Sequence, residues 1–173
     1  PDLLCDFLDL VAETYIEVCR AIGPLTTQSF ADGLICLHWS AVKGGCLLKD
    51  DSSTLLAPAT YEAFIRPAND KVLTNLGGGG IHWCGSGDQW RREFVETRGL
   101  ETADISQPQM NDLEAWAMSL RQRRVAVSRM ACLADDLERL DVFHAFPTGA
   151  AFMVTVESIE EGRRLLDRLG RRA

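Results

Sequence analysis

Residues 77–87 read GGGGIHWCGSG, and this stretch decides the fold. Within it, residues 80–84 (GIHWC) form a short, largely apolar run with glycine turns on both sides. Such a run predicts a buried strand of only a few residues, entered and left through tight turns. Residues i and i+2 of a strand point to the same face, so His82 and Cys84 are expected to project together at its exit.

The neighbouring segments supply the rest of the pattern. Before the glycines, residues 58–76 predict a helix, kinked or restarted at Pro67, which has no N–H for an interior bond. Residues 42–56 predict a loop holding Gly44-Gly45 and Asp50-Asp51-Ser52-Ser53, and residues 33–40 (GLICLHWS) a buried strand with His38 as a hydrogen-bonded core residue. Residues 2–22 carry apolar side chains at helical spacing and stop at Gly23-Pro24. After the glycines, residues 88–98 predict a helix, 100–105 a strand, 109–122 a helix opened by Pro108, and 125–130 a strand. A short helix at 133–140, a strand at 141–146, an apolar segment at 151–154 and a final helix at 158–169 complete the series. Asp88 and Ser106 are expected to cap helix starts.

Strands alternating with helices about five times imply parallel βαβ units in an α/β fold. Functional loops in such folds follow the C-terminal ends of the strands. Composition agrees with a globular chain: 173 residues, 46% hydrophobic and 25% charged. The net charge of −7 argues against a sequence-independent grip on nucleic acid or an anionic membrane. No apolar run approaches the ~20 residues that span a bilayer, and no signal peptide is visible. Six irregularly spaced cysteines read as reduced thiols, which points to a cytoplasmic protein. The chain begins with Pro1, as a fragment or processed product would.

His82 and Cys84 carry the sharpest chemistry, because imidazole and thiolate are a preferred pair for zinc. The bland reading of the same pair is a half-buried histidine beside a buried cysteine. Asp50 and Asp51 could act as acid and base or bind a substrate group, or could form a solvated turn. Asp104 ends its strand and is followed by Gln107, in a similar position to contact substrate. His144 stands near the last strand end as a candidate base, ligand or plain loop residue. The flanking glycines fit tight turns better than a phosphate loop, since the GxGxxG spacing is absent.

Taken in order, residues 49–73 (KDDSSTLLAPATYEAFIRPANDKVL), 78–85 (GGGIHWCG) and 100–113 (LETADISQPQMNDL) resemble the uroporphyrinogen decarboxylase superfamily. The first is similar to the family's aspartate loop and following helix, with Ala57 where serine is usual. The second is similar to the HxCG element of its methyltransferase branch. The resemblance implies the C-terminal portion, about five βα units, of a TIM (β/α)8 barrel. It also implies one domain over 1–173 whose N-terminal strands lie outside this sequence, because a barrel of this type runs to about 250 residues.

It further implies zinc held by His82 and Cys84, a thiol substrate bound as thiolate, and a corrinoid protein as methyl donor. A second cysteine near the last strand completes the family's site. Here the corresponding segment, 143–149, has no cysteine: the position falls near Thr148, with His144 as a substitute and both as candidate substrate contacts. Two alternatives stand beside methyl transfer. One is tetrapyrrole decarboxylation, which needs no metal; the other is an inactive barrel remnant or binding module.

Overall fold

The computed structural model describes residues 1–25, 34–37, 40–131 and 148–170. Its centre is a five-stranded, all-parallel sheet in the order β3-β4-β5-β6-β7. The strands are β3 (Cys46–Lys49), β4 (Gly79–Trp83), β5 (Leu100–Ile105), β6 (Ala126–Ala131) and β7 (Ala150–Met153). A separate antiparallel hairpin, β1 (Leu34–Leu37) with β2 (Ser40–Lys43), lies against β4, β5 and β6 through β2. The chain is therefore α/β with parallel βα units, as the alternation of strands and helices predicts.

Three expectations are corrected. The GLICLHWS segment contains β1, a hairpin strand rather than a member of the parallel sheet. The expected loop at 42–56 contains β3 instead, which pairs with β4. Its apolar core is only Cys46-Leu47-Leu48, between a glycine pair and a run of charge, too short to stand out by periodicity. The last strand is β7, beginning at Ala150, with Gly149 turning into it at a φ of +108°. Thr148 therefore precedes that strand rather than following it. The segments expected at 133–140 and 141–146, with His38, Cys132 and His144, lie outside the described residues.

The helices follow the predicted order with altered ends. Helix α1 spans Asp2–Ile22. The helix expected at 58–76 has three parts: α2 (Pro58–Thr60), a π turn (Tyr61–Ile65) and α3 (Arg66–Asn75). The π turn falls just before Pro67, where the missing N–H interrupts the regular ladder. A 3-10 turn at Asp88–Trp90 leads into the short α4 (Arg91–Val95). Helix α5 (Leu113–Arg123) starts later than expected, and its cap is Asp112, whose side chain accepts from Ala115 N at 3.1 Å. Ser106 does not cap it. The Asp88 carboxylate instead accepts from Asp112 N and, at 2.8 Å, from Trp116 Nε1. Helix α6 (Ile159–Gly170) follows β7.

Alternation along the strands sorts the side chains onto two faces. Ile81, Trp83, Ala103, Ile105 and Val127 are fully or almost fully buried against the helical layer. There Trp83, Trp90, Phe94 and Trp116 form one aromatic cluster with ring centroids 4.8–6.0 Å apart, and Tyr61 stacks on Trp90. Offset and edge-to-face pairs of this kind add to simple area burial. The opposite face carries a row in register: Lys49, His82, Asp104 and Ser128. The glycine run sets the spacing of β3 and β4. A Cβ on Gly79 would stand 2.3 Å from the carbonyl oxygen of Cys46, so any side chain there would push the strands apart.

Candidate metal centre

His82 occupies the exit of β4 on the polar face, and its neighbours come from two adjoining strands. On β5, Asp104 is fully buried, and its Oδ2 lies 3.0 Å from His82 Nδ1. With Nδ1–H donating to that carboxylate, Nε2 is the ring nitrogen that faces away from β5. On that side stand Asp51 and Cys84. Asp51 Oδ1 is 3.4 Å and Cys84 Sγ 3.5 Å from His82 Nε2.

The backbone holds these groups in place. Asp50 N donates to His82 O at 2.7 Å, continuing the β3–β4 ladder past the end of β3. This places Asp51, the first residue of the 3-10 turn Asp51–Leu55, over the exit of β4. Cys84 N then donates to Asp51 Oδ1 at 2.8 Å. Beyond Cys84, Gly85 turns with a φ of +91°. Its N–H donates to Gln107 Oε1, and its carbonyl accepts from Asn111 Nδ2 at 3.0 Å. Gly87 N donates to Asn111 Oδ1 at 2.8 Å. Gln107 and Asn111 thus clamp the turn that carries the thiol.

One carboxylate oxygen, His82 Nε2 and Cys84 Sγ all lie within 4.8 Å of one another. His82 is buried, while Asp51 and Cys84 are exposed. The donor set of one oxygen, one nitrogen and one sulfur suits a borderline-soft divalent cation, and zinc sites commonly mix these ligands. A cation held by these three donors, two of them exposed, would keep room for a further ligand, as catalytic sites require.

The other candidate residues divide. Asp104 and Gln107 belong to the cluster as described. Asp50 does not, although it adjoins Asp51. Its side chain turns away, accepting from Ser53 Oγ at 2.7 Å, Asn69 Nδ2 at 2.9 Å and Tyr61 OH at 3.4 Å. Burial pushes its carboxyl above the ordinary carboxylate range, against the lowering effect of those three donors. Thr148 is also remote. Its hydroxyl donates to Val125 O at 2.8 Å, beside the start of β6, at the end of the sheet opposite His82. The exit of β7, residues 154–157 (VTVE), has no cysteine. Asn111 escaped the sequence reading, and the only signal for it was an asparagine just before an amphipathic helix.

No protein-family description, no curated protein and no solved structure matches the chain. None of the described helices is long and apolar enough to cross a membrane.

Proposed function

We propose that the chain is a member of the uroporphyrinogen decarboxylase superfamily, that its sheet is the C-terminal portion of a TIM (β/α)8 barrel, and that it transfers a methyl group to a small thiol at a zinc ion held by Asp51, His82 and Cys84. One observation carries this reading: three donor atoms of different kinds converge within 4.8 Å, and a fully buried carboxylate orients the central imidazole. A carboxylate–histidine pair of this sort fixes the tautomer a metal needs and raises the basicity of the ligand. Asp51 takes the third position that the resemblance assigns to a cysteine.

Zinc in such a site lowers the pKa of a bound thiol and presents it as thiolate at neutral pH. The chain's own residues hold the site. Asp104 keeps Nε2 of His82 aimed outward, Asp51 ties the β3 turn to Cys84, and Gln107 with Asn111 fixes the glycine turn. The substrate sulfur takes the methyl group as a cation equivalent, and the donor keeps the bonding electron pair. A methylated corrinoid protein is the donor class this chemistry suits.

Metal content tests the proposal. Purified chain loaded with zinc should retain about one ion per chain after dialysis, and His82→Ala should retain none while keeping its far-ultraviolet circular dichroism. A folded parent chain that retains no divalent metal rejects the zinc site and returns the metal-free decarboxylase reading.

A further inference from the structure

A cleft of about 200 Å³ lies between α1, α3 and β3. Most of its lining is apolar: Leu8 and Val11 from α1, Leu48 from β3, and Ile65, Ala68 and Val72 from the π turn and α3. The hydroxyl of Tyr15, also in the lining, is taken up by Leu47 O. The remaining polar groups are the side chains of Asp50 and Asn69. An apolar cavity of roughly 150 Å³ accepts a benzene ring. This cleft therefore has room for one ring, or a short aliphatic chain, with a small polar head.

The hydrogen bonds of the two polar residues are incomplete in a particular way. The Asp50 carboxylate accepts from three neutral donors, Ser53 Oγ, Asn69 Nδ2 and Tyr61 OH, and has no ion pair among the described residues. A carboxylate offers about four acceptor positions, so one stays open. Asn69 commits its NH2 group to Asp50 and Tyr61, which leaves Oδ1 as an acceptor. Lys71 of α3 does not supply the missing charge, because its Nζ lies 3.0 Å from Asp9 and 2.9 Å from Glu13 on α1. Two acceptors, one of them anionic and largely desolvated, thus border an apolar cleft with no cation beside them. A buried carboxylate is ordinarily paired, and a cation next to it offsets the cost of its burial.

We infer that this cleft binds a small organic cation, a primary amine on an apolar body of about one ring, with its ammonium on the Asp50 carboxylate and Asn69 Oδ1. An ammonium has three donors and no acceptor, which matches two acceptors and no donor to spare. A neutral ligand of the same shape gains the apolar contacts and lacks the charge-assisted bond. A carboxylate ligand meets the charge of Asp50. The site is separate from the metal centre: Asp51 turns to His82 and Cys84, whereas Asp50 turns to Tyr61 and Asn69. The inference is therefore independent of the zinc reading.

Titration of the 173-residue chain with phenethylamine at pH 7, followed by amide chemical shifts, tests this. The amides of Asn69 and Val72 should move saturably. Phenethyl alcohol, with the same ring and no charge, should bind about 10-fold or more weakly, and hydrocinnamate should not bind. Asp50→Asn keeps the shape of the side chain and removes its charge. It should weaken phenethylamine about 10-fold or more and leave phenethyl alcohol unchanged. Ala68→Phe fills the cleft from α3 and should abolish binding of both, with circular dichroism confirming that the fold is kept. Equal affinity for amine and alcohol, unchanged amine affinity in Asp50→Asn, or no saturable shift with the amine overturns the inference.

Discussion

The Nδ1 atom of His82 lies 3.0 Å from Oδ2 of Asp104, a carboxylate with no exposed surface. In the proposed site this contact gives Asp104 a positioning role, acting through His82. Asp104→Asn should weaken zinc binding by about 10–100-fold while leaving all three ligands in place. Competition with a chromophoric chelator measures the change. Equal affinity in the variant and the parent would show that Asp104 plays no part in metal binding.

Asp50 should titrate in the opposite sense from a typical paired carboxylate. Burial raises its pKa, so the folded chain binds its proton more tightly than the unfolded chain does. Its contribution to stability therefore falls as pH rises from the unfolded pKa through the folded one. Asp50→Asn removes the ionisation, so the variant should gain stability relative to the parent with rising pH. Urea denaturation of both proteins from pH 4 to pH 8 checks this, and a pH-independent difference would contradict it.

The thiols should separate by reactivity. Cys46 is buried, and its pKa is pushed up to about 12, chiefly by that burial and then by Cys19. Cys5 and Cys84 are exposed. Iodoacetamide at pH 8 should therefore modify Cys46 at least about 100-fold more slowly than Cys5, because only the thiolate reacts. Added zinc should protect Cys84 and leave Cys5 unchanged. Protection of both thiols, or of neither, would count against a site at Cys84.

Gly79→Ala should be costly far out of proportion to one methyl group. Its Cβ meets a backbone carbonyl of the adjacent strand, which cannot rotate aside. A loss of about 1–3 kcal/mol or more is expected in denaturant melts, together with reduced metal retention, since β3 carries Asp51 to His82. Near-native stability would mean that the strands can separate at little cost.

Much of the site was legible from local sequence, because strand periodicity alone places His82 and Cys84 on one side. Asp104 was legible for the same reason, as the polar residue near the end of an apolar strand. The partnership of Asp51 was not, since it depends on the register of β3, a strand with only three apolar residues. Asp50 and Asp51 look equivalent in sequence, and the backbone turn after β3 sends one into a buried cluster and the other towards His82 and Cys84. Thr148 is expected in the loop after a strand at 141–146, a segment outside the described residues; the structure places it just before β7, a strand that only its pairing with β6 identifies.

Three of the chain's four tryptophans, Trp83, Trp90 and Trp116, pack in the aromatic cluster, and Trp83 sits between His82 and Cys84 in the chain. Indoles this close exchange excitation energy, so their emission behaves as one signal. The chain therefore carries a built-in optical probe whose intensity and wavelength follow any rearrangement at the exit of β4, with no dye attached.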